Sequence, residues 1–205
     1  MAKKIPYGLT DYFRIVTEDF YYVDKTKYIE DLEKTAAFLF LIRPRRFGKS
    51  LFLNMLNCYY DVKYADRFEE LFGNQYIGKH PTAEQGKYLV LRFNFSMVRA
   101  TDDKLEAAFN RHISLETAYL ASVYASYFKP DFQEQLKLIP EAAGRLEYIC
   151  LCAKEQGLSI YLLIDEYDNF TNTILSSKGN DVYHSLTHDS GFYRSFFSVV
   201  KGVTT

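Results

Sequence analysis

Between Phe38 and Tyr60 the chain reads FLFLIRPRRFGKSLFLNMLNCYY, and no other stretch restricts the choice of fold so strongly. Phe38, Leu39, Phe40, Leu41 and Ile42 are apolar without a break, the pattern of a strand covered on both faces of its sheet. Just downstream, Leu51, Phe52, Met55, Leu56 and Tyr59 recur at helical spacing. A basic loop, Arg43-Pro44-Arg45-Arg46-Phe47-Gly48-Lys49-Ser50, joins the two. A buried strand feeding a helix through such a loop places the chain among α/β folds with helices on both faces of a largely parallel sheet.

The loop has the length of G-x-x-x-x-G-K-[ST], in which backbone N–H groups and a helix N-terminus cradle phosphate oxygens. On this pattern the backbone from Arg45 through Leu51 forms the cradle, and Gly48 lets it come close. Lys49 reaches the β- and γ-phosphates, and the Ser50 hydroxyl ligates Mg²⁺. One position departs from the pattern. Arg43 stands where the first glycine belongs, and Pro44 pushes it toward extended backbone. Arg45 and Arg46 offset a less complete cradle by adding charge-assisted contacts to phosphate.

A bare G-K-S is common by chance in a chain of 205 residues, so its weight comes from context. The context is a second motif, Ile160-Tyr161-Leu162-Leu163-Ile164-Asp165-Glu166, an apolar strand ending in two acids. In P-loop NTPases the first acid, here Asp165, holds Mg²⁺, and an adjacent glutamate, here Glu166, orients or deprotonates the attacking water. The bland alternative for this segment alone is a core strand with a solvated acidic end.

The strings RPRRFGKSLFLNML, IPYGLTDYF, FYYVDKTKYIEDL and LLIDEYDNF together resemble the bacterial AAA-ATPase-like family, over nearly the whole chain. The R-P-R-R-F-G-K-S loop is specific to that group, so Arg43 in place of glycine is a family feature. The resemblance implies ATP binding with Mg²⁺ and ATP hydrolysis, on a single domain over 1–205. Within it, 1–36 would form an N-terminal arm and helix and 37–205 the NTPase core. Family members are usually longer and carry a restriction-endonuclease-like region. The resemblance also implies a sensor strand after Phe170; no such strand is read there, so the core is expected to be C-terminally incomplete. An incomplete sheet would expose the edges of Phe38–Ile42 and Ile160–Ile164 and favour self-association.

Formal net charge is −1, so no global basic field draws the chain to nucleic acid or anionic membrane. Nucleic-acid contact would need the local Arg cluster or the missing C-terminal region. No apolar run reaches membrane-spanning length. Cys58, Cys150 and Cys152 are odd in number and lack zinc spacing, which points to a reducing cytoplasm. The 18 Tyr and 17 Phe with no Trp predict a core built from rings.

In chain order, the spacing predicts a helix capped by Asp24 or Thr26 and running to about Lys34, and another over Ala65–Phe72. A strand follows over Leu89–Phe95. The longest helix would be capped by Thr101 and carry Leu105, Phe109, His112, Ile113, Leu120, Val123 and Tyr127 inward. A further helix spans Glu141 to Gln156 and stops at Gly157, and a last one spans Phe192 to Lys201. Phe13 and Tyr22 are candidates for an adenine pocket, against plain core packing. Asp168 either approaches Mg²⁺ or caps a helix; His184 and His188, four apart, could share a helix face, but without a carboxylate or cysteine pattern beside them they are not read as metal ligands. Two rival functions stay open: a nucleotide-dependent switch with little turnover, and a nucleic-acid-associated defence or mobile-element protein.

Overall fold

A computed structural model describes residues 3–35, 37–44, 46–98, 104–167, 170, 172, 174–175 and 191–203. Arg45, the Thr101 cap, Asp168, His184 and His188 lie outside the described residues. The described chain is a mixed α/β structure with a small parallel sheet and many helices, and it packs as two units, Met1–Val90 and Leu91–Thr205.

The first unit is built on rings. Asp11 accepts the Arg14 backbone N–H and so caps α1 (Tyr12–Thr17), a helix the sequence reading left inside the N-terminal arm. Tyr12, fully buried, stacks on Phe72 at 5.2 Å and donates its hydroxyl to the Leu71 carbonyl at 2.9 Å. α1 thereby packs on α3 (Lys49–Tyr60) and on α4 (Phe68–Phe72). The predicted Ala65–Phe72 helix is divided: Val62–Arg67 is a 3₁₀ turn, and α4 follows it. Asp61 has no solvent exposure, caps the 3₁₀ turn through the Lys63 N–H, and pairs with the Lys63 ammonium at 3.3 Å.

Two polar clamps fix α2 (Tyr28–Glu33) in this unit. Glu33 accepts from the Tyr60 hydroxyl at 3.0 Å and from the Thr82 hydroxyl at 2.8 Å. At the other end Asp24 accepts the Thr26 N–H and hydroxyl, and also the Tyr76 N–H at 2.7 Å. Thr26 in turn accepts the Ile77 N–H, which ties the start of α2 to α5 (Tyr76–Lys79).

Strands form at β1 (Tyr88–Asn94) and β2 (Ser159–Asp165), close to two of the three expected positions, and they make a two-stranded sheet. The third is a correction: no strand forms over Phe38–Ile42, where Phe40 is 70 % and Ile42 82 % exposed. An apolar run becomes a buried strand only when sheet neighbours on both sides take up its backbone groups. Among the described residues the sheet holds only β1 and β2.

In the second unit α6 (Leu105–Val123), α7 (Phe132–Lys137) and α9 (Phe192–Gly202) all pack on α8 (Ala142–Glu155), which also lies against β2. α8 ends as its sequence predicts. Gly157 is left-handed at φ 69°, with Gly157 N–H on the Lys154 carbonyl and Leu158 N–H on that of Ala153. α6 stops at Val123, and Tyr127 sits in a separate 3₁₀ turn. Burial pushes the Cys150 thiol up to about 11.

His112 of α6 is only 8 % exposed and lies beside the Phe93 and Phe95 rings. Its Nε2 finds no hydrogen-bond partner among the described residues. Burial holds the imidazole below its ordinary value of 6.5. The unfolded chain therefore binds the proton first, and stability present above about pH 6.5 is lost as pH falls toward the folded value. His112→Leu is expected to flatten stability between about pH 6.5 and 5, by at most about 1.4 kcal/mol per pH unit. Glu116, held above its ordinary value by burial, contributes in the opposite sense and cancels between the two proteins. Urea midpoints across that range check this, and an unchanged slope would refute it.

Candidate functional site

The basic loop ends in Gly48, which is left-handed at φ 77° and ψ 25° and forms the N-cap of α3. Lys49 and Ser50 are the first two residues of that helix, and the first backbone bond closing its turn runs from Phe52 N–H to the Gly48 carbonyl at 2.9 Å. The amides ahead of Phe52 thus belong to the helix end, where N–H groups lack intrahelical partners and the dipole favours negative charge. Lys49, Ser50 and Leu51 are partly buried, whereas Arg46 and Phe47 are exposed.

Arg46 is also left-handed, at φ 67°. An L-residue pays for that conformation, so alternating left-handed positions at Arg46 and Gly48 mark the loop as constrained. Arg43 and Pro44 are exposed in irregular backbone ahead of it.

A residue from outside the loop reaches it. A methyl group added at Gly48 would lie 3.7 Å from Lys25 Nζ. Lys25 sits between the two clamp residues Asp24 and Thr26. Among the described residues its ammonium has no ion-pair partner. Sequence reasoning did not single out Lys25. The available signal was the D-K-T triplet, in which Asp and Thr satisfy backbone groups and the lysine is left to project.

The acidic tip belongs to the second unit. Asp165 ends β2, is 8 % exposed, and accepts the Glu166 N–H at 3.0 Å. Glu166 is partly buried and left-handed at φ 54°. A left-handed L-residue costs conformational energy and persists only where its surroundings fix it. The Tyr193 hydroxyl donates to the Tyr167 carbonyl at 3.3 Å, and Phe170 is buried against Phe95, Phe109 and Tyr193.

Both candidate adenine-pocket rings are taken up by protein neighbours. Phe13 faces Tyr64 at 5.9 Å and the Arg67 guanidinium at 4.3 Å, and Tyr22 meets Tyr12 edge-on at 5.2 Å. That is the packing role the sequence also allowed.

The sequence model of the AAA-ATPase-like family, described as "Predicted AAA-ATPase", matches residues 6–205. The chain belongs to the AAA-ATPase-like family. Among curated proteins it resembles an "Uncharacterized protein in vnfD 5'region" of Azotobacter chroococcum mcd 1, at 49% identity over 55 residues. That match covers 26% of this chain and 11% of the relative. No solved structure matches this AAA-ATPase-like chain. No helix among the described residues is long and apolar enough to cross a membrane.

Proposed function

We propose that this AAA-ATPase-like chain is a P-loop ATPase domain that binds Mg-ATP at the Gly48–Leu51 start of α3 and hydrolyses it. The observation that carries the reading is a left-handed Gly48 opening α3 with Lys49 and Ser50 in its first turn, in a chain of this family. Such an end presents amides and a positive dipole to phosphate. Lys49 adds the charge that neutralises the β- and γ-phosphates, and Phe47, Gly48 and Leu51 contribute backbone. Arg45 and Arg46 add cations beside the cradle.

The residues suit Mg²⁺ rather than a preformed metal cage. Among the described residues no group of three His, Cys, Asp or Glu stands ready to hold an ion. Mg²⁺ is usually held by one or two carboxylates together with substrate phosphates, and it stabilises charge developing on the transferred phosphoryl oxygens. On this reading Ser50 and Asp165 are its protein ligands and Glu166 orients water. Those assignments rest on motif order along the chain, G-K-S first and I-D-E later. Self-association and a cytoplasmic location belong to the same reading.

Thermal unfolding with and without Mg-ATP tests it. Ligand at about a hundred times its Kd is expected to raise Tm by about 5–10 °C in the wild type and not in Lys49→Ala. A cooperatively unfolding wild type that Mg-ATP does not shift would refute the reading.

A further inference from the structure

We propose that Lys25 is a second lysine of the phosphate site, contacting the polyphosphate of a bound nucleoside triphosphate beside Gly48. This rests on the proposed nucleotide reading and extends it to a residue 24 positions ahead of Lys49.

Gly48 is the loop residue whose missing side chain lets a phosphate approach the backbone, and a methyl placed there would stand 3.7 Å from Lys25 Nζ. A phosphate oxygen resting on that backbone falls within reach of the ammonium.

Electrostatics then asks why a cation is there at all. The N-terminal end of the 12-residue α3 is positive, Lys49 occupies its first turn, and Arg46 lies two residues before Gly48. A lysine beside that end is repelled, because helix dipoles favour anions there. Nothing among the described residues neutralises it. The adjacent Asp24 spends one carboxylate oxygen on the Thr26 N–H and hydroxyl and the other on the Tyr76 N–H. Lys25 thus brings a further cation to a helix end whose own loop and first turn already carry Arg46 and Lys49, a composition that suits an anion.

Thr26 is fully buried, bonded to Asp24 and Ile77, so the backbone at Lys25 is held independently of what the ammonium does. Preorganised cations of this kind contribute most to ligand binding, since little is ordered on association. Lys27, two residues on, differs: it is exposed, with Nζ 5.3 Å from the Tyr28 ring centre.

Mg-ATP affinity of the full chain, measured by calorimetry for wild type, Lys25→Ala, Lys25→Arg, Lys27→Ala and Lys49→Ala, tests this. Lys25→Ala is expected to weaken binding about 10–100-fold, the range for one charge-assisted contact, with Arg restoring most of it. Lys27→Ala is expected to bind as the wild type. Without nucleotide, Lys25→Ala is expected to melt at or above the wild-type temperature, because a repelled cation has been removed. Wild-type affinity in Lys25→Ala, alongside loss in Lys49→Ala, overturns the role of Lys25 and leaves the phosphate site standing. A wild type that does not bind overturns both. Weaker binding in Lys25→Ala together with a lower melting temperature of the unliganded protein and no rescue by Arg marks a structural lysine and also overturns it.

Discussion

Phe109→Ala is expected to destabilise the second unit by about 3–5 kcal/mol, the range for deleting a fully buried aromatic ring. Phe109 has no solvent exposure. Its ring lies 5.2 Å from Phe196, 5.3 Å from Phe192, 5.4 Å from Phe95, 5.6 Å from Phe170 and 5.8 Å from Tyr193. These neighbours come from the turn after β1, from the segment after Glu166 and from α9, so one ring joins three stretches distant in sequence. Each aromatic pair adds about 0.5–1.5 kcal/mol beyond area burial, but one truncation does not recover their sum. Phe109→Leu, which fills more of the space, is expected to cost less. Urea unfolding followed by circular dichroism checks both, with the midpoint falling and the slope unchanged. A midpoint equal to that of the wild type would mean that the ring cluster does not hold this unit together.

That cluster also shows what the sequence could tell. Helices with a long apolar period, α6, α8 and α9, were legible, as was the Gly157 stop, because 3.6-residue spacing and a C-terminal glycine act locally. Tyr193 was not singled out, although it is buried and its hydroxyl holds the Tyr167 carbonyl. Nothing local distinguishes that ring from Phe192 beside it. Three short helices, α1, α5 and α7, of six residues or fewer, were passed over; α2 is as short and was read only through the capping residues Asp24 and Thr26 ahead of it. Phe38–Ile42 shows the reverse failure. Its composition demands a sheet, yet a strand is a property of its neighbours as much as of itself.

The candidate site was legible where chemistry is written in residue type and illegible where it lies in backbone or long-range approach. Gly48, Lys49, Ser50, Asp165 and Glu166 announce themselves by type and order. Nothing in the letters shows that Arg46 and Glu166 adopt φ of 67° and 54°, since either side chain is indifferent to it until neighbours impose it. Lys25 meeting Gly48 is likewise a contact between residues 23 apart, and local pattern does not report it.

Glu166→Gln is expected to lower ATP turnover about 10²–10⁴-fold while Mg-ATP affinity stays within about threefold. Glutamine matches the shape of glutamate and keeps the same φ preference, so the left-handed turn after Asp165 is undisturbed; what disappears is a base able to take a proton from water. Asp165 still accepts the backbone N–H of residue 166, a bond that no side-chain change at 166 removes. Binding should survive because Lys49 and the α3 amides, which meet the phosphates on the proposed reading, are unaltered. Single-turnover phosphate release set against nucleotide affinity separates the two effects. Equal rates in mutant and wild type would take the carboxylate out of the reaction. If the wild type binds Mg-ATP but releases no phosphate, there is no rate for the substitution to remove. The same loop would then serve a switch, in which nucleotide binding biases a conformation and Glu166 contributes charge rather than catalysis.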